Sequence, residues 1–207
     1  MESTIACILA AGYSQRMGRP KALLPFKGKT FVEIVASLYE ELGVPWIVVL
    51  GAEHRRIRSL VPLPDDAVLV NPRPELGPLS SLQLALRSLP SRVTGLFLHP
   101  VDHPLVRPGT VAALLDAHRS EPEAILLPLH GDRRGHPALF PRSRFEDLLA
   151  APLDKGARWV VRQSSECVRE IPVPDPGIHR NINTPEDFAR WVDAADPEIG
   201  DTPEFRS

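Results

Sequence analysis

Five short apolar runs, separated by stretches of helical periodicity, constrain this chain more than any other feature. Residues 4–9, 46–50, 67–70, 95–99 and 124–128 each read as a buried strand. After the first, Phe31, Ile34, Val35, Leu38 and Leu42 recur at helical spacing. Thr30 and Glu33 make a capping box at the start of that helix, and Gly43 supplies the stop. Residues 53–60 read as a short basic helix. Ser80 and Ser81 open another with Leu82, Ala85, Leu86 and Leu89 on one face, and residues 109–118 form a third. Parallel strands need crossover connections, which helices supply. The alternation therefore predicts an α/β fold, a Rossmann-like three-layer sandwich with a mostly parallel central sheet. Beyond residue 128 the rhythm loosens. Residues 131–140 read as a turn entering a strand, 143–149 and 155–163 as helices, and 168–173 as a last strand. Thr184 at the N-cap, Pro185 behind it and the acids Glu186 and Asp187 open a final helix.

Composition narrows the class. The 207 residues carry 24 Lys and Arg against 26 Asp and Glu, a net charge of −2, which argues against a nucleic-acid partner. Two cysteines, Cys7 and Cys167, cannot staple a secreted fold, so both read as core thiols of a reducing compartment. The apolar run 5–11 lacks the basic flank of a signal peptide and is far short of the roughly 20 residues that span a bilayer. These features predict one cytoplasmic domain over residues 1–194, with no membrane partner, and a frayed acidic tail over 195–207.

In an open parallel sheet, ligands bind beyond the carboxyl ends of the strands, where strand order reverses. If the first three strands wind outward and the fourth returns beside the first, two loops meet there. The first, residues 9–21, is neither a Walker loop nor a dinucleotide fingerprint. It nevertheless holds what a polyphosphate needs: Gly12 and Gly18 for close backbone approach, the Ser14 hydroxyl, and the cations Arg16, Arg19 and Lys21. Such a loop is also compatible with an ordinary solvated basic turn. The second segment is Leu98-His99-Pro100-Val101-Asp102-His103-Pro104. A carboxylate there suits Mg²⁺, which takes few protein ligands plus phosphate oxygens and water, although a turn-forming Asp fits equally. No His/Cys spacing matches a zinc site.

The stretch Leu-Ala-Ala-Gly-x-Ser-x-Arg-Met-Gly-x-x-Lys-x-Leu-Leu-Pro from Leu9 resembles the opening signature of the nucleotidyltransferases that make molybdenum cofactor dinucleotides. The likeness continues in order through Asn71-Pro72, Gly77, Ser81-Leu82, Asp102-x-Pro104, Gly135-His136-Pro137, Asp154-Lys155-Gly156-Ala157-Arg158 and Asn183-Thr184-Pro185-Glu186-Asp187, covering roughly residues 4–192.

The resemblance implies an Mg²⁺-dependent transfer of a nucleoside monophosphate from an NTP to a phosphorylated acceptor, with release of pyrophosphate. It implies that Arg16 and Lys21 counter charge on the reacting phosphates, with Arg19 facing solvent. Asp102 is the implied metal ligand, with Asn181 or Asn183 as the second. Leu9, Ala10, Ala11, Gly12, Ser14, Asn71, Gly77, Ser80 and Ser81 are the implied nucleotide contacts, and His136, Lys155 and Arg158 the implied acceptor contacts; a loop-holding role for His136 and a solvated first turn for Lys155 and Arg158 are the alternatives. Relatives usually carry Asp at the places of Asn181 and Asn183, so the metal should bind more weakly here without nucleotide. Ala11 fits the cytidylyl branch better than the guanylyl one, favouring CTP as donor and a molybdopterin-type cofactor as acceptor. A sugar phosphate acceptor keeps the chemistry and changes the substrate. A nucleotide-binding module without turnover is the alternative from another class.

Overall fold

The computed structural model describes residues 3–192; the expected tail lies outside the described residues, as do the last two positions of the expected domain. Among the described residues ten strands occur in chain order: β1 (Ser3–Ala10), β2 (Pro25–Phe26), β3 (Lys29–Thr30), β4 (Trp46–Leu50), β5 (Val68–Val70), β6 (Val93–Pro100), β7 (Ile125–His130), β8 (Arg133–Arg134), β9 (Ala138–Pro141) and β10 (Val168–Pro172). The helices are α1 (Phe31–Glu40), α2 (His54–Leu60), α3 (Pro78–Ser88), α4 (Pro108–Ser120), α5 (Phe145–Ala150), α6 (Arg158–Gln163) and α7 (Pro185–Trp191). β2 and β3 form a separate small hairpin.

The main sheet runs β10-β7-β9-β6-β1-β4-β5, with β8 attached to β7. β1 is parallel to β4 on one side and to β6 on the other, with Ala10 opposite Leu50 and Leu9 opposite Pro100. Strand order therefore reverses at β1, which is the condition under which the loops after the first and fourth expected strands meet. Because side chains alternate across a strand, each strand feeds two cores. Ala6, Ile8, Val48, Leu50, Phe97 and Leu126 pack toward α1 and α4 with Phe31, Val35, Tyr39, Val111 and Leu114. Cys7, Val49, Leu96, Leu98, Ile125 and Leu127 pack toward α3, α5 and α6 with Leu82, Leu86, Phe145, Leu148 and Val160. That division makes the three layers.

The capping box read at Thr30 is formed, and the N-cap read at Thr184 closes a second box with Asp187. The Thr30 N–H donates to Glu33 Oε2 at 2.7 Å, fixing the start of α1, and the Asp187 N–H donates to Thr184 Oγ1 at 3.2 Å, fixing α7. Elsewhere the boundaries move for local reasons. α3 starts at Pro78, not at Ser80, because proline suits the first helical position and Gly77 breaks the chain before it. The helix expected over 155–163 shrinks to α6, since Gly156 sits at φ 66° and interrupts helical backbone. Cys7 is buried, but Cys167 lies in a short 3₁₀ turn, half-buried beside the Arg144 guanidinium at 3.2 Å, and is not a core thiol. The fourth and fifth expected strands, β6 and β7, are not neighbours. β9 lies antiparallel between them, because the chain turns back at Gly131 (φ 63°) and a tight reversal needs no crossover helix. Among the described residues no helix is long and apolar enough to cross a membrane.

Asp175 pins the segment after β10 to the start of α4. Its buried carboxylate accepts from the Arg107 N–H at 2.9 Å, the Thr110 hydroxyl at 2.6 Å and the Gly177 N–H at 2.8 Å. Asp175→Ala leaves these donors without an acceptor. It is expected to cost about 3 kcal/mol, read from the urea midpoint at constant m-value.

Candidate active site

Parallel strands deliver all their carboxyl-terminal loops to one edge of the sheet, and a cleft of about 680 Å³ opens there. The loop after β1 contributes Leu9, Ala10, Ala11, Gly12, Ser14, Arg16 and Lys21. Gly51 follows β4, Gly77 and Ser81 precede and open α3, and Asp102 and His103 follow β6. β9 runs the opposite way, so its first end lies at the same edge, and His136, just before it, joins the cleft. The chain returning from β10 brings Asn181 and Asn183, held in place where the Ile182 N–H donates to the Asp102 carbonyl at 2.8 Å.

Lys21 ties these segments together. Its ammonium donates to Asp102 Oδ2 at 2.9 Å and to the side-chain carbonyl of Asn183. Both charged side chains are mostly shielded, at 16% exposure for Lys21 and 19% for Asp102, so their attraction is little screened by water. The backbone of Lys21 is anchored separately, its N–H donating to Ser14 Oγ at 3.0 Å. That contact uses the Ser14 oxygen within the loop; the hydroxyl itself leans toward the Gly12 carbonyl at 3.5 Å. Ser14 adopts φ 52° and Gly18 φ 70°, which bends the loop around its own Arg16–Met17 turn.

A carboxylate and an amide carbonyl converging on one cation make an oxygen donor set of the kind Mg²⁺ or Mn²⁺ accepts. The other carboxylate oxygen, Asp102 Oδ1, is buried without a hydrogen-bond partner, which also fits a site completed by a positive ligand. Among the described residues, no three His, Cys, Asp or Glu side chains cluster as a protein-only metal cage. A metal held here would take its remaining ligands from substrate and water.

A chain of histidines runs from the core to the cleft lining. His99 is fully buried, with Nδ1 paired to the Tyr39 hydroxyl at 2.9 Å and Nε2 donating to the His103 carbonyl at 3.0 Å. The His103 ring lies 4.8 Å from that of His136, and His103 Nε2 is 3.9 Å from Asp102 Oδ1. Burial pushes His99 down to about 4 and His103 to about 2, while His136 is lowered by burial against the opposing pull of Asp102. All three are neutral imidazoles at neutral pH.

Four expected site residues stand off the cleft. Asn71 is buried and braces its own turn, its amide donating to Ser80 and Ser81 Oγ, both at 2.9 Å, while its Oδ1 accepts from the Arg73 N–H. Ser80 turns inward to the Gly77 carbonyl at 2.7 Å, leaving Ser81 to line the cleft. Lys155 points outward beside Asp154. Arg158 is exposed outside the lining, within electrostatic reach of His136. Arg19 is half-buried and does not face solvent freely. Conversely, Gly51, Tyr13 and His103 line the cleft without having been singled out. For Gly51 the reason is steric: a Cβ would collide with the Ala11 carbonyl, so only glycine lets the first loop settle against β4.

An α/β sheet with a cationic loop and an acid at its switch point defines a nucleotide-handling enzyme. Residues 6–168 match the family model described as the MobA-like NTP transferase domain, and the chain belongs to that family. It is a nucleotidyltransferase. It is 28% identical over 191 residues to a molybdenum cofactor guanylyltransferase of Xanthomonas euvesicatoria pv. vesicatoria (strain 85-10), covering 89% of this chain and 92% of that one. It is also 31% identical over 196 residues to the nicotine blue oxidoreductase of Paenarthrobacter nicotinovorans, covering 89% and 94%. The crystal structure of Rv0371c from Mycobacterium tuberculosis H37Rv superposes with a TM-score of 0.83 at 30% identity, covering 92% of this chain and 97% of that one. A complex of Rv0371c with manganese gives 0.77 at 27% identity, covering 93% and 99%.

Two outcomes follow from the geometry. Gly51→Ala should lower nucleotide affinity or turnover by about 10- to 100-fold, since displacing a positioning loop by about an ångström has that effect; calorimetry and steady-state rates check it. The second concerns pH. Unfolding returns His99 from about 4 to its ordinary 6.5, so the unfolded chain binds the extra proton. Stability from this group is complete above pH 6.5 and falls by about 3 kcal/mol as pH drops toward 4. Urea titrations at pH 7 and pH 4.5 should show the loss, reduced in His99→Gln.

Proposed function

We propose that this protein transfers a nucleoside monophosphate from a metal-bound NTP to the phosphate of a molybdopterin-type cofactor. The observation that carries the reading is the convergence of Lys21, Asp102 and Asn183 beside the Gly12–Arg16 loop in one cleft. An oxygen of the acceptor phosphate attacks the α-phosphorus, the bond from that phosphorus to the α,β-bridging oxygen breaks, and the electron pair leaves with pyrophosphate. Such a reaction needs orientation and charge neutralisation more than a covalent nucleophile. Backbone N–H groups around Gly12 face the triphosphate. Arg16 at the cleft rim and Lys21 deeper within it balance the charge that grows on the phosphates. Asp102 and Asn183 would hold Mg²⁺, which when bound would supply further neutralisation of the phosphate oxygens. Gly77 and Ser81, at the start of α3, border the nucleoside, and His136 borders the acceptor. The cytoplasm, where thiols such as Cys7 and Cys167 stay free, is the compartment that belongs to this reading.

The name of the Xanthomonas relative makes GTP the leading donor. CTP is the second reading, favoured by Ala11, whose methyl lies at the floor of the first loop where the guanylyl branch more often has glycine. Titration of GTP, CTP, ATP and UTP, each with and without Mg²⁺, separates the two. Selective Mg²⁺-dependent binding of GTP supports the first, selective binding of CTP the second, and turnover of a sugar phosphate alone moves the acceptor elsewhere. Lys21→Ala and Arg16→Ala should each lower the rate by about 100-fold or more in a pyrophosphate-release assay, because each removes a charge aimed at the reacting phosphates. A loss below tenfold would make them surface cations. Normal pyrophosphate release abolished by Asp102→Ala would exclude a binding module without turnover.

A further inference from the structure

Lys21 and the metal compete for the same two oxygens, and that conflict has a functional consequence. The Lys21 ammonium sits between Asp102 Oδ2 and the Asn183 carbonyl. Asn183 is neutral, so the subsite of one carboxylate, one amide and one ammonium carries no net charge. A free divalent cation reaching it gains no net attraction and must first expel a tethered ammonium. Building on the functional reading above, we infer that Lys21 is a built-in counter-ion that keeps the subsite closed to free metal, so that metal enters only with the nucleotide.

The loop is constructed to let the side chain swing while its backbone stays. The Lys21 N–H is fixed to Ser14 Oγ at 3.0 Å, and Ala22 and Leu24 are buried immediately behind it. The flexible four-carbon stem is therefore the moving part. A triphosphate gives the ammonium a new anionic partner in the same cleft, beside Ser14 and Arg16. Once Lys21 turns to the phosphates, Asp102 Oδ2 and Asn183 Oδ1 are freed for the cation that the phosphates bring. The same residue thus excludes metal from the empty site and neutralises charge in the filled one.

The test uses Mn²⁺ as the probe, with unbound ion followed by electron paramagnetic resonance, on the whole chain. Without nucleotide, wild type should take up no Mn²⁺ in the range where Lys21→Met takes up one ion with affinity higher by at least about tenfold, as expected for removing a facing unit charge. Lys21→Arg keeps the charge and should stay refractory, and Lys21→Met with Asp102→Asn should lose the gain. Adding a non-hydrolysable α,β-methylene triphosphate should let wild type take up Mn²⁺ as well. Wild type binding free Mn²⁺ as tightly as Lys21→Met, or no gain in Lys21→Met, overturns the inference. Failure of wild type to bind any triphosphate, with or without Mn²⁺, overturns the functional reading, whatever Lys21→Met shows.

Discussion

The parallel pairing of β1 with both β4 and β6 is the constraint on which the rest of the molecule depends. A strand hydrogen-bonded in parallel on both sides needs both faces covered, which calls for helices above and below the sheet. It also forces the loops after β1, β4 and β6 to leave from one edge, so residues far apart in the chain become neighbours. Lys21 and Asp102 are separated by 81 positions and lie 2.9 Å apart because their strands are adjacent and point the same way. The antiparallel β9 adds to this edge from the opposite direction. A strand entering from the carboxyl side presents the residue before it, and that residue is His136.

Features that depend on nearest neighbours in the chain were legible in the sequence. The capping box at Thr30, the N-cap at Thr184 and the alternation of strands with helices follow from local pattern, although the third run, at β5, is half-buried with Val70 exposed. That Arg16, Lys21 and Asp102 share a cleft was legible because the loops after β1 and β6 leave the same edge of the sheet. What escaped depends on contacts that no short window contains. Gly51 is constrained by a carbonyl forty residues earlier in the chain. Asn71 looks like a ligand in a motif, yet its amide is consumed by Ser80, Ser81 and the Arg73 N–H. Lys155 carries a suitable charge, but the backbone turn at Gly156 leaves it beside Asp154 on the outer surface.

The segment after β10 shows how a fold can hold a site from a distance. Asp175 fixes its beginning to α4, and the Leu105 carbonyl packs so closely on Gly177 that no side chain fits there. The Ile178 carbonyl then accepts from the His136 N–H at 3.0 Å, and the Ile182 N–H donates to the Asp102 carbonyl at 2.8 Å. One strap therefore sets the backbone of His136 and of Asp102 together. Both residues are thus held to the same segment, which favours a fixed spacing between them.

Charge arithmetic at the end of that strap distinguishes this chain from one with aspartate at the same place. An aspartate at position 183 would leave one net negative charge after pairing Asp102 with Lys21, enough to draw in a cation before any nucleotide arrives. Asparagine keeps the ligand oxygen and removes the charge, so Lys21 alone balances Asp102. On the inference above, weak affinity for free metal would follow from neutrality and would not mark a degenerate site. On the same inference the carbonyl of Asn183 would serve as the oxygen donor once Lys21 turns away, and the phosphates of the nucleotide would supply the attraction it lacks.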